Sequence, residues 1–161
     1  MSLTVETGSI VSGANSYISV ADYETWIDAR NVAHANHGDS AAVEANILRS
    51  MDFFEALSFK GFKKTQAQPL QFPRYALVID GYVQESDSIP AEVKNALYEL
   101  TYADERGYGP YDVVERATKS ERIEGAIAVE YMDNASSDVI VPSIWACLRK
   151  LVLPQNRVVR M

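Results

Sequence analysis

His34 and His37 are the only histidines in this chain of 161 residues. Three apart on a helix, their imidazoles could share one metal ion, with Asp39 as a third ligand. Gly38 lies between His37 and Asp39 and argues for a helix end there, so the expected reading is two exposed helix-end histidines. Cys147 has no base tied to it by pattern. Beside Trp145 in an apolar helix it reads as a small buried hydrophobe. Three acidic groups could supply acid–base pairs: Asp104 with Glu105, Glu121 with Glu124, and Asp80 with Glu85 and Asp87. They fall on faces and turns expected to be solvated, and perturbed carboxylate pairs need burial. Gly107-Tyr108-Gly109 follows a helix rather than a strand and lacks a third glycine, so it is a turn. Asn134-Ala135-Ser136 matches a glycosylation acceptor, but no secretion signal accompanies it. The expectation is a protein without catalysis, metal or cofactor.

One charge feature stands apart. From Ser58 to Tyr75 the bases are Lys60, Lys63, Lys64 and Arg74, with no acid among them. Phe59, Phe62, Phe72 and Tyr75 are interleaved with these bases. Basic plus aromatic is the composition of a platform for single-stranded nucleic acid. Two other readings stay open: a solvated loop whose aromatics plug the core between helices, and a protein interface, where aromatics and arginine are enriched. Lys60, Lys63, Lys64, Phe72, Pro73, Arg74 and Tyr75 are therefore the candidate contact residues.

These residues need elements to position them. Ser19 with Asp22 is a capping-box signature, and Val20, Tyr23, Trp26 and Ile27 share a face, so a helix is predicted over about 20–34. Gly38-Asp39-Ser40 offers a new cap. Val43, Ile47, Met51, Phe54 and Leu57 follow at helical spacing, giving a helix over about 40–57 that Gly61 ends. Asp80-Gly81 suits a type I′ turn between short β-rich runs. Pro90 suits a first helical turn, Val93, Ala96, Leu97, Leu100 and Ala103 make a buried stripe, and Gly107 suits the position just past the helix end. Alternation at Ile127, Val129 and Tyr131 predicts a second hairpin over about 120–131. Pro142 starts a short helix that Pro154 stops. The fold class is mainly α: three main helices and a short C-terminal one, with one or two β-hairpins, in a single domain over 1–161. Residues 1–19 form an extended lead-in and 154–161 a tail expected to be mobile. The hairpins could pair with each other or with a neighbouring subunit.

Within the central connection, QPLQFPRY carries more apolar surface than a solvated loop requires. It is expected to act as a brace. Leu70 and Phe72 would anchor it, and Pro73 would present Arg74 outward or to a carboxylate, at or near a subunit contact.

The chain carries 22 acids against 15 bases, a formal charge of −7. Such a surface repels phosphate, so any nucleic-acid contact must be a local basic patch. One cysteine permits no intrachain disulfide and suits a reducing compartment. No apolar run reaches membrane-spanning length, so an intracellular protein without membrane contact is expected.

Several stretches in order resemble the head–tail connector (adaptor) proteins of tailed bacteriophages, some families of which carry the label DnaT-like single-stranded DNA-binding. They are ANSYISVADYETWIDAR, ILRSMDFFEALSFKGFKK, PLQFPR, DGYVQESDSIPAEVKNALYELTYA and IAVEYMD. Phe72-Pro73-Arg74, Ile89-Pro90 and Val129-Glu130-Tyr131 match family positions. The resemblance implies a structural subunit of a homo-oligomeric neck ring in the virion, assembled in the host cytoplasm. Portal protein and tail-side neck proteins would be its partners, and DNA would pass through without specific binding. The alternative it implies is a single-stranded DNA-binding replication accessory.

Overall fold

The computed structural model describes residues 2–33, 35–108, 118–123, 127–131 and 142–153. For 118–123, 127–131 and Pro142 it describes the backbone alone. Four helices carry the described fold: α1 (Val20–Asp28), α2 (Ser40–Glu55), α3 (Ala91–Glu105) and α4 (Pro142–Leu148).

Helix α1 starts on the capping box. The Asp22 amide donates to Ser19 Oγ and the Ser19 amide donates to Asp22 Oδ2, each at 3.1 Å. It stops six residues short of the predicted end. The amides of Arg30 and Asn31 turn back onto Ile27 and Asp28, and Asn31 takes a left-handed conformation with φ 50°. Asparagine tolerates that conformation where most residues do not. Asp39 caps α2, its side chain accepting from the Ala42 amide at 3.1 Å. Helix α2 ends at Glu55, before the predicted Leu57 and well before Gly61. Helix α3 begins after Pro90 and closes on a Schellman motif. The Tyr108 amide donates to the Ala103 carbonyl and the Gly107 amide to that of Asp104.

Helix α2 packs on α3, α3 on α4, and α1 on α2. Their apolar stripes meet in one cluster running from Ala14 to Leu151, with Tyr17, Ile27, Ile47, Phe54, Leu97 and Leu148 fully buried. Burial of side chains this size contributes about 1.5–3 kcal/mol each before entropy is counted.

Three two-stranded antiparallel ribbons complete the described residues. Strands β3 (Val78–Ile79) and β4 (Tyr82–Val83) form the predicted hairpin, with φ 52° at Asp80 and 87° at Gly81 as a type I′ turn requires. Strands β5 (Thr118–Ile123) and β6 (Ile127–Tyr131) form the second, in the register Ile123↔Ile127 to Thr118↔Tyr131. Among the described residues each ribbon is a two-stranded sheet of its own. The third, β1 (Phe62–Lys63) with β2 (Arg74–Tyr75), was not expected and holds three of the candidate residues, Lys63, Arg74 and Tyr75. The polar loop around Asn134, Gly125 at the second bend, and the tail 154–161 lie outside the described residues. Among the described residues no helix is long and apolar enough to cross a membrane.

Candidate nucleic-acid interface

The stretch 68–75 is bound to the core from several sides. Phe72 is 0% exposed and sits among Tyr17, Phe54 and Phe59, with ring centroids at 6.0, 6.2 and 5.1 Å. The edge-on geometry to Tyr17 and Phe59 is the favourable one for aromatic quadrupoles. The Phe72–Pro73 peptide is cis. Tyr17 Oη accepts from the Phe72 amide at 2.9 Å and donates to Glu55 Oε1 at 2.7 Å. The other Glu55 oxygen accepts from the Gln71 amide at 2.8 Å. Buried Gln68 donates to the carbonyls of Leu70 and Pro73. Burial drives the Glu55 carboxyl above its ordinary range. Tyr17, the Gln71 amide, Lys63 and Arg74 pull the other way. Burial, together with the Glu55 charge, also pushes the Tyr17 hydroxyl far up, so it stays a neutral donor.

Arg74 corrects an expectation. Its side chain points inward, toward carbonyl oxygens rather than toward solvent or a carboxylate. Nε donates to the Lys60 carbonyl at 2.8 Å; Nη1 donates to the Gln71 carbonyl and to Gln71 Oε1; Nη2 donates to the carbonyls of Phe59 and Gly61. All five N–H donors of the guanidinium are thereby used. The residue is 8% exposed, and burial lowers its pKa from the usual arginine value. The reason is local. The turn from Phe59 to Gly61 and the turn at Gln71 both leave carbonyls unpaired inside the fold, and a planar fork reaches all of them. Phe72, Pro73 and Arg74 are thus buried parts of the brace within the chain.

The face of β1–β2 opposite Arg74 is different. Phe62 and Tyr75 lie directly across the ladder, their rings stacked at 5.4 Å and 30°. They are 62% and 48% exposed. Strand alternation explains the split: Phe62 and Tyr75 point out, while Lys63 and Arg74, also paired, point toward the core side. Gly61 makes the close approach possible. With φ 71°, its hydrogen faces the Tyr75 carbonyl, where a Cβ would lie at 2.7 Å.

The three lysines differ. Lys64 is exposed. Lys63 is half-buried, and its charge acts on Glu55. Lys60 is half-buried and donates to the Lys150 carbonyl, past the end of α4, at 2.8 Å. The structure therefore brings Lys64, Phe62 and Tyr75 to one exposed ribbon, with Lys60 and Lys63 at its base. Phe62 was missing from the predicted contact residues. A two-residue strand pairing across ten intervening residues leaves no periodic signal, although the aromatic composition of the segment pointed at it.

The remaining candidates have structural partners. Asp104 Oδ2 lies 2.7 Å from Arg49 Nη2, tying α3 to α2. Glu105 accepts from Tyr23 Oη at 2.8 Å and from the Asn36 amide at 2.6 Å. Both acids are half-buried rather than solvated, as their neighbouring helices close over them. Asp80 pairs with Lys150 at 2.6 Å. Cys147 is half-buried; burial, then Glu99 and Glu92, push its thiol up, away from thiolate. His34 lies outside the described residues, while His37 is exposed and Asp39 is occupied as the α2 cap. Among the described residues no group of three metal-ligating side chains gathers.

A family model described as "Putative DnaT-like ssDNA binding protein" matches residues 1–161. No curated protein and no solved structure matches the chain. The match corrects the connector expectation. The matched family is described by single-stranded DNA, and the match gives no support to a neck ring or a portal partner.

Proposed function

The chain belongs to this DnaT-like family, and we propose that it binds single-stranded DNA on the exposed Phe62–Tyr75 pair. The carrying observation is that stacked, solvent-facing pair, held on a ribbon whose other face is pinned by Arg74. Exposed aromatic rings cost solvation unless something covers them, and a nucleobase stacks on such rings whatever its sequence. Lys64 supplies a phosphate contact beside them, with Lys60 and Lys63 as a weaker basic floor. The segment from Ser58 to Tyr75 itself contains no acid, so none of its own side chains repels a phosphate there. The reading is of a binding protein and includes no catalytic step.

Fluorescence anisotropy with labelled oligo-deoxythymidine tests it. Changing both Phe62 and Tyr75 to Ala weakens binding about tenfold to a hundredfold, from stacking of ~1–3 kcal/mol per base. Lys64→Gln lowers the slope of log affinity against log salt by about 0.7. Absence of binding at about 50 mM salt, or binding indifferent to the aromatic double variant, overturns the proposal.

A further inference from the structure

A second feature lies next to the ribbon. A cavity of about 430 Å³ opens where the segment after α2 meets α4. Leu57, Val152, Leu153 and Trp145 line it with apolar surface, and Lys60 and Arg149 line it with positive charge. Its volume falls in the usual range of small-ligand sites. Its floor is fixed by backbone: the Lys60 amide donates to the Leu151 carbonyl and the Leu153 amide to the Ser58 carbonyl, both at 2.8 Å, and Phe59 bridges Val152. Arg149 is exposed and Trp145 half-buried, and both line the cavity.

We infer that this cavity is a second nucleotide subsite on the path of the same strand. The inference rests on the single-stranded DNA reading above. Three observations favour this occupant. Among the described residues the lining combines an indole with two cations and no acid, which complements a base carrying a phosphate. Lys60 belongs to the cavity and stands two residues before Phe62, so one short stretch of chain joins cavity and platform. The Lys60 ammonium spends one of its three donors on the Lys150 carbonyl, which fixes it in place with two donors left over. A base laid against Trp145 would put its phosphate beside Arg149, while the neighbouring bases lie on Phe62 and Tyr75.

The test uses the full chain and fluorescein-labelled oligo-deoxythymidine of about a dozen residues, within the site sizes typical of such proteins. Affinity is read by anisotropy from about 50 to 200 mM salt. Arg149→Gln changes an exposed residue and leaves the fold intact. It weakens binding about fivefold at the lower salt and reduces the salt slope by about 0.7. Trp145→Phe removes the part of the tryptophan quenching that comes from the stacked base. If both variants bind like the wild type with an unchanged slope, while the Phe62 and Tyr75 double variant loses affinity, the cavity subsite is refuted and the platform stands. If Arg149→Gln loses binding but the double variant does not, the cavity is supported and the platform falls. A wild type that binds no oligonucleotide at low salt overturns both.

Discussion

Replacing Arg74 with Lys keeps the charge and removes the fork. The guanidinium satisfies five acceptors spread over two turns: the carbonyls of Phe59, Lys60, Gly61 and Gln71 and the Gln71 amide oxygen. An ammonium offers three donors from one atom, so at least two of these acceptors lose their partner. A buried polar group left unpaired costs about 1–3 kcal/mol. Partial relaxation around the half-exposed Lys60 and Gly61 places the total at about 2–4 kcal/mol. Urea unfolding followed by tryptophan fluorescence reads this as a lower midpoint with an unchanged slope. A loss below about 0.5 kcal/mol would refute the idea that the fork holds the two turns together. A charge-removing variant, Arg74→Gln, separates brace from contact: under native conditions its DNA affinity keeps the wild-type salt slope. A reduced slope would mean that Arg74 meets phosphate, against its burial.

Tyr17→Phe strips the hydroxyl from a relay that both receives the Phe72 amide and donates to Glu55. It lowers stability by about 2–3 kcal/mol in the same urea assay, since the amide is buried and left alone. Phe72→Ala opens a cavity among three aromatic rings and costs about 3–5 kcal/mol; a cost near zero would count against the brace. Glu55 gives a pH signature. Its folded-state pKa is raised above the ordinary 4.5, so the folded chain holds that proton more tightly than the unfolded one. Its contribution is complete below 4.5 and is lost as pH rises through the raised value. Urea midpoints measured across that window fall for the wild type relative to Glu55→Gln; a constant difference refutes the burial of the carboxylate.

The helices were legible because their signals are local. The Ser19–Asp22 box, the stripe from Val93 to Ala103 and Gly107 past the end each sit within one or two helical turns, and the structure uses all three. The Asp80-Gly81 turn was readable for the same reason. The site was half legible. Composition marked the segment from Lys60 to Tyr75, but not which of its residues face out. That is decided by the pairing of Phe62 with Tyr75 across a long connection and by carbonyls seeking a donor. Neither leaves a trace in hydrophobic periodicity. Arg74 was misread on the same account. An arginine after Pro73 looks exposed until the unpaired carbonyls around it are known. The half-buried acids Asp104 and Glu105 were missed because their partners, Arg49 and Tyr23, lie 55 and 82 residues away in the chain.

An acidic protein can hold DNA only if the attraction is short-ranged, and the ribbon meets that condition. At about 0.1 M salt charges more than roughly 10 Å apart are largely screened, so distant acids on α2 and α3 contribute little repulsion at Lys64. In the proposed mode, stacking on Phe62 and Tyr75 is insensitive to salt and would carry the affinity that electrostatics cannot. Below about 0.01 M the screening length grows to about 30 Å, the reach of the whole molecule, and the charge of −7 then acts on the strand as a unit. Lowering salt strengthens the lysine contacts and the global repulsion together. Affinity should therefore rise less steeply toward low salt than the number of phosphate contacts alone would give. A purely basic groove would show the opposite, a slope that holds over the full range. On the proposed reading, with few cations on the ribbon, the rings would supply the larger share of the binding.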